Sequence, residues 1–207
     1  DLSDKITPGK HIISLCIDNR LKLDVGANSH SVTDHTQGNW NGVVGKMELI
    51  ATPQAYMEDV QVYPDLKNKL AHIKIQVKSG DNEATGKLTV AAKSFNTAIA
   101  QSVPAISKTV IIKNGMAELT IDLPMGSKMQ PWDEFHPALY QLTAKLTTAK
   151  GTDTKQVTFG MHEFKADGRN FTINGNPVFL RGTVECAVFP LTGYAPTDEA
   201  SWARIFR

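Results

Sequence analysis

AHIKIQVKSGD, residues 71–81, decides the fold. Its apolar positions, Ala71, Ile73, Ile75 and Val77, recur every second residue, with His72, Lys74, Gln76 and Lys78 between them. Successive strand side chains point to opposite faces, so this pattern predicts a strand with one face on a core and the other in water. The run ends on Ser-Gly-Asp, where a turn is easily made.

The same alternation recurs on either side, at Leu88, Val90 and Ala92, at Ala117, Leu119, Ile121 and Leu123, and at Tyr140, Leu142, Ala144 and Leu146. Between the runs stand SGDNEATG (79–86), KNG (113–115) and AKGTD (149–153), which offer Gly and Asn or Asp where positive φ costs least. No helical periodicity interrupts them. About seven short strands in roughly 100 residues is the profile of an immunoglobulin-like β-sandwich, with Ile73, Ile75, Val77, Leu88, Val90, Leu119, Ile121 and Leu142 expected inside. Trp132, Pro137 and Tyr140 read as sandwich packing, Tyr140 being in phase with Leu142 and Ala144.

Outside this span the pattern changes. The first 55 residues hold two apolar runs, His11 to Ile17 and Val43 to Ala51, which predict two strands around a polar loop, NSHSVTDHTQGNWNG (28–42). Beyond the sandwich, GRNFTINGNPVFLRG (168–182) places FTI and VFL around the turn residues NGNP, a hairpin signal. At the C-terminus Pro196, Thr197 and Asp198 make a helix start, followed by Trp202, Ile205 and Phe206 at helical spacing. An amphipathic helix that stops after a turn or two has nothing of its own to cover its stripe. The reading is a truncated chain, whose exposed stripe could self-associate.

Composition excludes more than it names. The chain has 207 residues, 41% of them apolar, and 22 Lys plus Arg balance 21 Asp plus Glu, so no field selects nucleic acid or an anionic membrane. No run approaches the ~20 apolar residues of a membrane span, and DLSDKITPGK lacks the layout of a signal peptide. Cys16 and Cys186, each among apolar residues, read as buried free thiols. His30, Asp34 and His35 fall in the polar loop and match no closed four-ligand metal pattern, so neither a metal nor another cofactor is expected. Of the adjacent acids, Asp133 and Glu134 read as loop residues and Asp198 and Glu199 as first-turn helix acids.

Three segments together resemble the family 2 glycoside hydrolases, the β-galactosidase, β-glucuronidase and β-mannosidase family. FKADGRNFTINGNPVFLRGTVECAVFPLTGYAPTDEASWARIF (164–206) resembles that family's "NG-P-FLRG" hairpin and first barrel helix with its W-x-R-I. PWDEFHPALYQL (131–142) is similar to its W-x-P-x-x-P-x-L-Y-x-L strand, departing at Glu134 and Phe135. TQGNWNGVVGKMELIATP (36–53) resembles the last strand of its N-terminal jelly roll. The three occur in the family's order.

The resemblance implies a mainly β chain: residues 1–56 the end of a jelly-roll sugar-binding domain, 57–162 the sandwich, and 163–207 the start of a (β/α)8 barrel. It implies that the parent binds carbohydrate, and that the two catalytic glutamates lie on later barrel strands, so no catalytic residue is expected in this chain. Arg181 would match the arginine of the sugar pocket, at the strand end where barrels carry their sites; the alternative is an arginine bridging barrel strands. After it stand Thr183 to Ala187 where many β-galactosidases have an Asn- and His-rich run. Asn39 and Trp40 would lie in the loop that reaches the pocket rim, the indole stacking on a sugar and the amide bonding hydroxyls. Alternatively Trp40 anchors the loop on its own sheet. Two other classes stay open. A carbohydrate-binding module would need two or more exposed aromatics on one sheet face, and an adhesion domain would have no use for the FLRG hairpin.

Overall fold

The computed structural model describes residues 2, 5–18, 20, 24–29, 42–43, 47–97, 99–182, 196 and 198–206. The chain divides into two compact units, one of Ile50–Gly182 and one of Asp1–Leu49 with Thr183–Arg207.

The first unit is built on seven antiparallel strands: β1 (Ala55–Asp65), β2 (Leu70–Ser79), β3 (Glu83–Asn96), β4 (Ser102–Lys113), β5 (Met116–Pro124), β6 (Leu139–Thr148) and β7 (Gly151–Phe159). Their order is β1-β2-β5-β4-β3-β6-β7. The ladder between β4 and β5 is a single pair, Lys113 with Met116, at their hairpin. The sheet is therefore two layers, β1-β2-β5 and β4-β3-β6-β7, folded face to face at that corner, as in an immunoglobulin-like sandwich.

Alternation does what its period requires. Ala71, Ile73, Ile75 and Val77 of β2 are buried against Leu88 and Val90 of β3 and Tyr140, Leu142, Ala144 and Leu146 of β6 in one core. Each fully buried aliphatic side chain contributes roughly 1.5–3 kcal/mol relative to exposure. Leu119 is only half-buried at the edge of that core, less than the alternation implies. The KNG turn is a two-residue hairpin with Asn114 and Gly115 at φ 52° and 75°, the positive-φ pair whose twist matches flanking strands.

Two side-chain devices complete the sandwich. At the edge opposite the corner, Asp153 of β7 accepts from the Met57 N–H of β1 at 2.8 Å, and Lys155 donates to the Glu58 carbonyl at 2.7 Å. These groups sit on edge strands, where unpaired backbone would otherwise face open water. At the start of β6 the buried Tyr140 hydroxyl accepts from the Gln130 N–H at 2.9 Å and donates to Gln101 Oε1 at 2.8 Å. A tyrosine bonded back to backbone upstream of this strand is a recurring corner of such sandwiches. Burial raises the Tyr140 pKa, so the hydroxyl stays protonated and able to donate.

Past Met161 the chain forms a three-stranded meander, β8 (Phe164–Asp167), β9 (Asn170–Ile173) and β10 (Asn176–Val178), ordered β10-β9-β8. Its second hairpin is the one expected around NGNP, with Asn174 and Gly175 at φ 53° and 80°.

In the second unit the helix α1 (Glu199–Phe206) forms at the expected place. Asp198 is its N-cap, accepting from the Ser201 N–H and hydroxyl, both at 2.8 Å. Those bonds, the backbone one foremost, hold its pKa below the usual carboxylate range. Trp202 donates through its indole to the Pro196 carbonyl at 2.7 Å. The rest of the expected apolar stripe, the Ile205 and Phe206 side chains, lies outside the described residues.

Among the described residues the expected N-terminal strands did not form. Residues 11–17 and the described part of 43–51 have no ladder, and Ile12, Ile13, Leu15, Ile17, Met47, Leu49 and Ile50 are exposed. A strand needs a neighbour to take its backbone bonds, and among the described residues these runs have none. Cys16 shares this exposure as a free thiol, correcting the buried reading; Cys186 lies outside the described residues. Pro137 is likewise exposed rather than packed.

Candidate functional site

The chemistry-bearing residues of the first unit gather at the end where β3 turns into β4, β5 runs into β6, and β7 leads to the meander. A cleft of about 440 Å³ opens there between Asn96, Thr97, Gln130, Pro131, Asp133 and His136. Its polar groups are already engaged. Asn96 donates to the Pro137 carbonyl at 2.8 Å, and the Gln130 amide bonds both the carbonyl and the N–H of Ile99, at 2.6 and 3.3 Å. Asp133 Oδ1 accepts from the backbone N–H groups of His136 and Phe135, at 2.7 and 2.9 Å, and faces His136 Nδ1 at 3.1 Å. These contacts, the His136 N–H foremost, lower the Asp133 pKa. Asp133 is thus a turn-capping carboxylate, as its loop position suggested, and it is the single acid among the described residues lining the cleft.

Beside the cleft, Trp132 lies against β7's exit. Its N–H donates to the Met161 carbonyl at 2.9 Å, and its ring sits 5.4 Å from that of His162 at 58°. A Cβ on Gly160 would come within 2.9 Å of the Trp132 Cβ, so the close approach needs glycine. Asn174, from the β9–β10 turn, donates through Nδ2 to the Trp132 carbonyl at 2.8 Å and accepts the Glu163 N–H on Oδ1 at 2.9 Å. The NGNP motif announced a turn; nothing in its pattern announced this tertiary bond. The available signal was Asn, rather than Gly, at a positive-φ position.

A second titratable group lies on the outer face of β1-β2-β5. His72 Nδ1 is 2.7 Å from Asp122 Oδ1, and Nε2 is 3.7 Å from Asp65 Oδ2. The bond to Asp122 leads in raising the His72 pKa, while Asn68 lowers that of Asp65. Lys74 lies over the Tyr63 ring on the same face, 4.8 Å from its centroid. Among the described residues no group of three or more His, Cys, Asp or Glu side chains is placed to hold a metal ion. No helix there is long and apolar enough to cross a membrane.

Of the residues expected at a sugar pocket, Arg181 is described and Asn39 and Trp40 lie outside the described residues. Arg181 is exposed, three residues beyond the end of β10 at Val178, with Phe179 and Leu180 also exposed before it. The expected strand through VFLRG thus stops early, because the meander's ladder to β9 ends at Val178–Phe171.

The seven-stranded sandwich with its tyrosine corner and the meander bonded to its end define an immunoglobulin-like β-sandwich domain carrying a small appended sheet. Residues 55–162 match the family described as "Glycosyl hydrolases family 2", more than half of the 207 residues, and the chain belongs to that family. It is 26% identical to a β-galactosidase of Oenococcus oeni, over 96% of this chain and 19% of the relative. It is 27% identical to a β-galactosidase of Thermoanaerobacter pseudethanolicus, over 96% of this chain and 26% of the relative. The chain thus spans about a fifth to a quarter of these relatives. Among solved structures, Bacteroides uniformis β-glucuronidase 2 superposes with a TM-score of 0.59 at 22% identity, covering 74% of this chain and 20% of that one, a likeness of fold.

Proposed function

We propose that this chain is a non-catalytic supporting and docking segment of an exo-acting β-glycosidase of the β-galactosidase type, whose parent hydrolyses terminal β-glycosidic bonds of carbohydrates. The observation that carries this is the end of the sandwich. Within the family match at 55–162, Trp132 presents a fixed carbonyl, and the meander that follows the matched span is bonded to it through Asn174. A free-standing binding domain has no need of such an attachment. The β-galactosidase type is supported by the two relatives matched over 96% of the chain. In the same proposal residues 1–56 belong to a jelly roll, 163–207 begin a barrel, and Arg181, Asn39 and Trp40 contribute to the sugar pocket's rim in the parent. The test is turnover of nitrophenyl β-galactoside, β-glucuronide and β-mannoside by the purified 207-residue chain. No release of nitrophenol is expected; release that scales with protein through successive purification steps overturns the reading.

A further inference from the structure

We infer that Asn174 is the positioning residue of the junction: its side-chain amide holds the β8–β10 meander on the sandwich and so sets the direction in which the chain leaves toward Arg181. The junction follows from contacts alone; only its consequence for Arg181 rests on the proposed function.

The meander is poorly equipped to hold itself in place. Its ladders run only β10 to β9 and β9 to β8, and none reaches the seven-stranded sheet. Of its eleven strand residues only Thr172 is buried. The Phe164 and Phe171 rings stack at 5.4 Å yet remain 48% and 43% exposed. Such a small sheet has too little core to be stable unaided, so its pose depends on specific bonds to a rigid neighbour.

Trp132 is that neighbour, pinned by Met161 and by the side-chain-free surface of Gly160. The Asn174 amide spans the gap with one acceptor and one donor, Oδ1 on the Glu163 N–H and Nδ2 on the Trp132 carbonyl. Its own N–H continues to the Glu163 carbonyl at 2.9 Å. Three demands meet at this position: a left-handed backbone, an acceptor and a donor. Asn meets all three. Gly meets only the first. Asp tolerates the backbone and accepts, but ionised it sets a carboxylate oxygen against the Trp132 carbonyl.

That last contrast makes the inference testable. A protonated carboxyl regains one O–H donor beside one acceptor and is nearly isosteric with the amide. Acid should therefore restore the junction in Asn174→Asp and do nothing for Asn174→Gly. The full chain, with Cys16 and Cys186 replaced by serine, is spin-labelled through cysteines introduced at Ser107 on β4 and Ala166 on β8, and the label-to-label distance distribution is read by pulsed EPR. The native residue is expected to give a narrow distribution from pH 7 to pH 3.5. Both variants should broaden at pH 7, with hydrogen exchange across 163–178 about tenfold faster and exchange across 70–79 unchanged. On lowering the pH below the Asp range, about 3.9, Asn174→Asp should narrow again while Asn174→Gly stays broad. Asp133, His162 and the Glu163–Lys165 pair at 2.7 Å are the other charged groups around the junction, and the native chain at each pH controls for them. Narrow distributions in both variants at pH 7, faster exchange at 70–79, or failure of acid to rescue Asn174→Asp would each overturn the inference.

Discussion

LAHIKIQVKS (70–79) and HIISLCID (11–18) carry a similar share of large aliphatic residues and end differently. In the first, Ile73 and Ile75 are 0% and 1% exposed, within a strand paired on both sides. In the second, Ile12 and Ile13 are 89% and 65% exposed with no ladder. The second segment is the more apolar of the two, so hydrophobicity does not explain the difference; alternation and partners do. Lys74 and Gln76 give β2 a wet face, so only one register buries its aliphatic side chains. Residues 11–18 offer no such bias, and among the described residues no neighbour fixes their backbone.

The sharpest way to break that comparison is to truncate one isoleucine in each segment. Ile73→Ala leaves a cavity in a close-packed core and should lower stability by about 2–5 kcal/mol. Ile13→Ala should stay within about 0.5 kcal/mol. Urea unfolding followed by far-ultraviolet circular dichroism reads both, and equal losses would mean that residues 11–18 are held as firmly as β2.

A smaller effect separates the sandwich's packing from its polar fastening. Tyr140→Phe keeps the ring stacked on Phe159, at 5.6 Å, but strips the acceptor from Gln130 and the donor from Gln101. An unsatisfied buried group costs about 1–3 kcal/mol. The unfolding midpoint should therefore fall with an unchanged denaturant slope. No fall would mean that water replaces the hydroxyl.

The smallest effect belongs to the solvated face of β2. The His72 pKa is raised in the folded chain, chiefly by Asp122. Its stabilisation is complete below the unfolded value, about 6.5, and is lost as pH rises through the folded value. His72→Gln should therefore lower the melting temperature near pH 5.5 and leave it nearly unchanged at pH 9. A larger loss at pH 9 would reverse the assigned sign. The pair is solvent-exposed, so raising the salt concentration should shrink the difference.

Much of the sandwich was legible in the sequence, for a local reason. A period of two places every second side chain on one face, and Asn-Gly supplies positive φ at a hairpin, so β2, β6 and the turns at 114–115 and 174–175 follow from adjacent residues alone. The family resemblance was legible from motifs in the same way. The proposed pocket was less so. Arg181 was expected at the end of a strand, but β10 stops at Val178, because ladder length depends on what lies alongside.

The sequence by itself determined which residues turn inward along each strand, through the pleat, and where the chain reverses, through the few residues that accept a left-handed backbone. Only the tertiary structure decided how distant groups meet. Asp153 closes an edge on Met57 across 96 residues, and Asn174 reaches Trp132 across 42. Neither bond leaves a trace in local periodicity. A polar side chain on a turn or at a strand edge has the same sequence signature whether it ends in water or on a backbone group, and the arrival of the distant partner decides between them.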